Sequence, residues 1–346
     1  MKRALLVVFV GGLLASPVAE PGIALAETPP TGWDRARDPA VGERYQLHLR
    51  MQETLQEVDS AHPREKEQRL QKARTELELA SAATSPDVRL RYDLGQVYYA
   101  LERFDEAIQV LEPALKLAPG GSGCAEAWLA LAFAAAKTDR SRLELDAYDA
   151  YLAVALREHS ILNILSNRAE AEMRLGNLDE AVAGYRDVIE RIEHSGLVSM
   201  TEYQTLVLAR WGLAVALDRS GNPAESEQVA FVASEQDPQE KLIGDQENVF
   251  FVPKYERDWY FALGRTQHAR RALEPRVALL LWNLVEQTWA SYVASAVTSD
   301  RWLALARAHL AAAQVERRSA AARYSATQPK GSILPAPSDR HSRPHR

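Results

Sequence analysis

The sequence predicts an all-α array of antiparallel helix pairs, and three observations predict it. Small residues, turn residues and prolines return with a period near 34 between Val88 and Pro238. Two stretches ahead of that region, Val41 to Ser60 and Arg64 to Thr84, read as amphipathic helices. The 346 residues are 47% hydrophobic and 25% charged, so a core is available and wholesale disorder is excluded. A repeat array can run past ordinary domain size because each unit buries itself against its neighbours.

The clearest copy runs from Val88 to about Gly121. Leu94, Gly95 and Tyr98 fall in its first helix, Ala107, Leu111 and Ala114 in its second, and Pro119 ends it. Gly95 and Ala107 are small where two helices cross; Pro119 lacks an N–H and disfavours helix in the residue before it. A second copy, about 125–158, holds Trp128, Leu131 and Ala132, then Ala147 and Tyr151; counting to Ala147 makes its inter-helix turn three residues too long. The third, about 162–196, has Leu165 and Ala169, a Leu175-Gly176-Asn177 turn, Asp179 as helix cap, then Ala181, Tyr185 and Val188. The fourth, about 207–240, has Ala214, Leu217, a Gly221-Asn222-Pro223 turn, Ser226, Ala230, Ala233 and Pro238, with Arg210 as its departure.

These residues resemble the consensus of the tetratricopeptide repeat family, closely over 88–240 and loosely beyond. The resemblance implies a right-handed superhelix of antiparallel helix pairs. Residues 41–84 are expected to form an N-terminal helical cap, and residues 241–322 an atypical repeat, with Tyr260, Leu263 and Gly264, plus a closing helix from Asp300 to about Ala322. Pro275 is expected to interrupt the atypical repeat.

The ends read differently. Lys2 and Arg3, an apolar run from Ala4 to Ala15 and the Ala24-Leu25-Ala26 triplet follow the grammar of a cleaved secretory signal over residues 1–26. Export to a periplasmic or secreted location is therefore expected, without membrane insertion once the signal is removed; no cysteine stands at its end to be acylated as in a lipoprotein. Residues 27–40 are expected to be a flexible linker and 323–346 a disordered basic tail.

Net charge is -6 but uneven. Residues 317–346 carry seven basic side chains against Asp339, while residues 27–316 carry a net -13. An acidic body does not attract nucleic acid. The single cysteine, Cys124, cannot form an internal disulfide.

Catalytic and metal-binding patterns are missing: no G-x-S-x-G, no phosphate loop, no H-E-x-x-H, no paired cysteines. The reading is of a non-enzymatic protein without cofactor or metal, whose partner is another protein or a peptide; the alternative is a self-associating structural protein. The resemblance implies that first helices line a concave face, through the second, fifth, ninth, twelfth and thirteenth positions of each copy. Those positions hold Arg89, Tyr92, Gln96 and Tyr99; Leu129, Phe133 and Lys137; Asn163, Ser166, Glu170, Met173 and Arg174; and Trp211, Val215, Asp218 and Arg219. Aromatic and amide side chains of this kind can hold an extended peptide. The apolar segment 248–253, with Phe250 and Phe251, is expected either to fold back into the groove as a plug or to meet a partner.

Overall fold

A computed structural model describes residues 29–328 apart from 59, 122, 155–160, 197–198 and 246–250. The predicted signal, Phe250 and the tail beyond Gln328 lie outside those residues. Every regular element described is helical.

The chain divides into two compact units that meet in sequence at Arg257 and Asp258. The first opens with α1 (Gly32–Arg37), inside the stretch expected to be a flexible linker. Thr31 and Asp34 form a reciprocal capping box there, each side chain accepting from the other's backbone N–H. Ten longer helices follow as five pairs: α2 (Val41–Val58) with α3 (Pro63–Leu79), α4 (Val88–Ala100) with α5 (Phe104–Leu117), α6 (Cys124–Lys137) with α7 (Ser141–Val154), α8 (Leu162–Leu175) with α9 (Leu178–Ser195), and α10 (Met200–Arg219) with α11 (Pro223–Gln236).

Each pair packs on the next through its second helix, and first helices also approach one another: α2 with α4, α4 with α6, α8 with α10. Among the described residues no second helix packs comparably on another second helix. The row whose members lie closer together is the inner row of a bend, so the first helices form the inner face. The pair α2–α3, expected to be a cap without repeat character, packs onto α4 and α5's pair in the way that pair packs onto the next. Buried Leu47, Met51, Leu55, Leu70 and Leu77 run into one core with Leu90, Leu94 and Val97 of α4.

The turns fix the phase of the four predicted copies. Glu102, Asp139, Gly176 and Gly221 have φ of 58°, 56°, 87° and 84°. After each, the next backbone N–H reaches back to a carbonyl of the first helix: Arg103 to Tyr98, Arg140 to Ala135, Asn177 to Glu172 and Asn222 to Leu217. This is the hydrogen bond that closes a helix through a left-handed residue. It corrects two sequence expectations. The second copy has no enlarged turn; α6 ends at Lys137 and α7 starts at Ser141. Counting from the turn, its small-residue position is Glu144, the counterpart of Ala107, Ala181 and Ser226, and Tyr148 instead of Tyr151 matches Leu111 and Tyr185. Asp179, expected to cap α9, lies within the helix's first turn, and the cap position is Asn177.

After α11, the short α12 (Lys241–Gly244) packs on α10 and buries Ile243. Asp237 holds it by accepting from the backbone N–H of Lys241 and Leu242 at 2.8 and 3.0 Å.

The second unit comprises nearly all of α13 (Glu256–Arg271), α14 (Pro275–Ser295) and α15 (Leu303–Thr327). Pro275 stands between α13 and α14 and begins the latter, at the position where a missing N–H costs nothing. The closing helix runs on to Thr327, past the predicted end at Ala322. Trp259 meets Trp289 and Tyr292 edge-on, each with centroids 5.1 Å apart, and His309 stacks on Trp289 at 4.6 Å.

Candidate functional site

The inner face is the surface on which the sequence placed its candidates, and the structure sorts them by burial. On α4, Tyr92 is buried and its hydroxyl donates to the Ala118 carbonyl, while Gln96 is buried with no partner for its Nε2. Tyr99 is half-buried, with its ring 6.0 Å from Phe104 and 6.1 Å from Phe133, and buried Phe133 meets Tyr148 edge-on at 6.1 Å. These rings form a ladder that joins the first two predicted copies, so Tyr92 and Phe133 are packing residues. Leu129 on α6 is half-buried and packs at the margin of that core.

Met173, Trp211 and Val215 are buried as well, Trp211 with an unpartnered indole N–H. A residue already covered by its own chain cannot meet a partner without moving something, so Tyr92, Gln96, Phe133, Met173, Trp211 and Val215 do not line an open groove. Asn163 on α8 is half-buried, and so are Ser166 and Glu170 on the same helix. Phe251 is half-buried.

The contrast between α8 and α10 locates the opening. The fifth, ninth and thirteenth positions are Ser166, Glu170 and Arg174 on α8, all with some access to water; on α10 they are Trp211, Val215 and Arg219, all buried. Among the described residues the inner row also lacks, between α6 and α8, the close approach seen between its other neighbours. Water therefore reaches the inner face along α8.

Charge is concentrated at the C-terminal end of that opening. Arg174 donates to Glu144 of the preceding pair, and both side chains are largely removed from water. Arg219 donates to Glu256 at 2.5 Å, its side chain 1% exposed. Burial pushes the Glu144 carboxyl up to about 8, with Arg174 pulling it down and Glu170 and Asp139 adding to the rise. Burial also holds Glu170 above its ordinary range; Arg174 and Arg219 oppose, and Glu256 reinforces. Tyr148 lies beside this group, its hydroxyl raised by burial first and by Glu144 next.

Sequence reasoning named Glu170, Arg174, Asp218 and Arg219 but missed Glu144 and Glu256. A glutamate at a position the repeat reserves for a small residue was the available signal. Glu256 lies outside any recognisable copy, and nothing in the sequence marks it.

Among the described residues no group of three or more His, Cys, Asp or Glu could hold a metal ion, and no helix is long and apolar enough to cross a membrane. No curated protein matches the sequence. Among solved structures, MamA protein is 17% identical with a TM-score of 0.39, covering 57% of this chain and 94% of its own. A tetratricopeptide repeat protein from Parabacteroides merdae ATCC 43184 is 17% identical with a TM-score of 0.42, covering 78% of this chain and 99% of its own. Residues 65–132 and residues 207–230 match family models described as tetratricopeptide repeat, and both stretches lie within the array of antiparallel helix pairs.

Proposed function

We propose that this chain is a non-enzymatic scaffold that captures an extended segment of a partner protein along the inner face of α8. The observation that carries the reading is the difference between neighbouring repeats: α8 leaves Ser166 and Glu170 half-buried, where α10 buries their equivalents Trp211 and Val215. A solenoid whose only purpose was to pack on itself would gain by closing both. Tetratricopeptide repeats generally mediate contacts between proteins, which agrees with this use of the face. The leader-like residues 1–26 support an exported protein, acting in the bacterial periplasm or outside the cell. The coverage of α10 by its own chain, with Ile243 buried on α12, supports the view that the segment following α11 closes that end of the groove.

The test is capture from an envelope extract by the full chain and by Ser166→Tyr, which fills the opening without entering the core. Capture lost with an unchanged melting temperature is the expected result. Equal capture by both proteins, or a wild-type chain that binds only other copies of itself, would favour the self-associating alternative.

A further inference from the structure

We propose that the end of the second unit where α13 stops and α14 starts docks on a membrane surface that carries anionic phospholipid, lying on the bilayer without spanning it. This surface shares no residue with the inner face of α8, so it stands or falls independently of peptide capture.

Three helix ends come together there. Near the start of α13, Asp258 accepts from the Ser291 hydroxyl of α14 at 2.7 Å, and farther along Arg265 donates to Thr288 Oγ1 at 2.8 Å, so the two helices run antiparallel. Tyr292 donates to Asp300 at 3.1 Å and Glu286 pairs with Arg317, so α15 returns along α14. Arg276 stands ten residues back from Glu286 and Thr327 ten residues on from Arg317, which brings the last turn of α15 level with the first turn of α14. Residues 329–346 follow from this same end.

That end is both apolar and basic. Leu273, in the link between α13 and α14, is 99% exposed and Leu280 is 60% exposed, with Val277 and Leu284 exposed as well. Val277, Leu280 and Leu284 are spaced by three and four, hence on one side of α14. Farther along, that side carries Gln287, Ser291 and Ala294, so the apolar stripe is confined to the end. Arg270, Arg271 and Arg276 flank Leu273 in the chain, and Arg323 of α15 comes level with Leu280; all four are exposed. Glu274 is the one acidic residue within 270–280 and 319–328. From Asp258 onward the chain holds thirteen lysines and arginines against six acidic residues, the reverse of the acidic body before it. A negatively charged surface therefore draws this unit and not the first.

The arginines ask for anions and the leucines for an apolar medium. A guanidinium grips phosphate through two parallel N–H groups, and each basic side chain close to an anionic bilayer adds about fivefold in affinity. The leucines enter the boundary between headgroups and acyl chains, about 5–10 Å deep. An acidic protein would satisfy the arginines but would need a pocket shaped to Leu273; a bilayer needs none. Among the described residues no helix is long and apolar enough to cross a membrane, so the contact is with its surface.

The experiment is co-flotation of the chain from Glu27 to Arg346, which leaves out the apolar run 4–15, with vesicles of phosphatidylcholine alone or mixed with phosphatidylglycerol. The chain should float with the mixed vesicles and not with the neutral ones, and added salt should weaken the association. Leu273→Ser, at a side chain outside any core, should melt as wild type does while its partition into mixed vesicles falls roughly tenfold. Arg276→Gln combined with Arg323→Gln should lower the partition roughly twenty-five-fold, two basic groups at about fivefold each. Unchanged partition of these variants would overturn the proposal, and so would equal flotation with neutral vesicles. If a chain ending at Gln328 no longer floats while Leu273→Ser floats as well as wild type, the tail alone holds lipid and the helix end is not the site. Binding to soluble polyglutamate as tight as to mixed vesicles, and indifferent to Leu273→Ser, would make the occupant an acidic protein. Self-association in light scattering that Leu273→Ser abolishes, without flotation, would make it a second copy; either result removes the membrane from this surface.

Discussion

A Cβ placed on Gly95 would lie 2.2 Å from Cγ of Leu111, and Leu111 is fully buried and has nowhere to go. Gly95→Leu should therefore cost about 1–3 kcal/mol through overpacking. Arg103→Ala, at a half-buried surface ion pair with Glu106, should cost well under that; equal thermal melts for the two would show that the helices do not cross where the repeat places them. Glu144 makes the second residue-scale prediction. Its folded carboxyl titrates near 8 against an ordinary 4.5, so the stability linked to it is complete below about 4.5 and is lost as pH rises through about 8. Urea titrations across that window should show wild type losing stability with rising pH more steeply than Glu144→Gln. Identical slopes would mean that Arg174 holds Glu144 ionised throughout.

At the scale of the element, four of the five first helices, α4, α6, α8 and α10, end on the same left-handed turn, but only two of them use glycine there. Glu102 and Asp139 hold the conformation against an L residue's preference, at a cost of roughly 1–2 kcal/mol. Asp139→Gly should stabilise the protein by about 0.5–1 kcal/mol, since the strain relieved exceeds what glycine loses to chain entropy, and it also removes a like charge near Glu144. A lower melting temperature in calorimetry would contradict this. The same turns show how much could be read in advance. The helix pairs near Val88 and Leu162 were legible because glycine, alanine and proline stand where geometry demands them. The second copy misled because a glutamate occupies its alanine position, and Ala147, three residues on and on the same helix face, stood in for it. For the groove, the consensus told which side chains turn inward, but not which of them the chain itself covers, as it does Trp211 and Val215.

The two units of the whole molecule keep separate cores, one of stacked helix pairs and one gathered on Trp259, Trp289 and Tyr292. Trp289→Ala should destabilise the second unit by about 3–5 kcal/mol. Hydrogen exchange should then quicken across α14 and α15 while α4 to α7 keep their protection; acceleration everywhere would mean that the chain unfolds as one body. Within the first unit the Glu144–Arg174 pair has a further meaning. Repeat arrays commonly change length by duplicating or dropping a unit, because each neighbour offers much the same surface. Here the second copy carries a buried carboxylate whose counter-charge is supplied by the third. A new unit inserted between them, or the loss of the third, would leave that carboxyl buried without its hydrogen-bond partner, at a cost of about 1–3 kcal/mol. The order of these two repeats is thereby locked, and any lineage or design that lengthens the solenoid has to do so elsewhere.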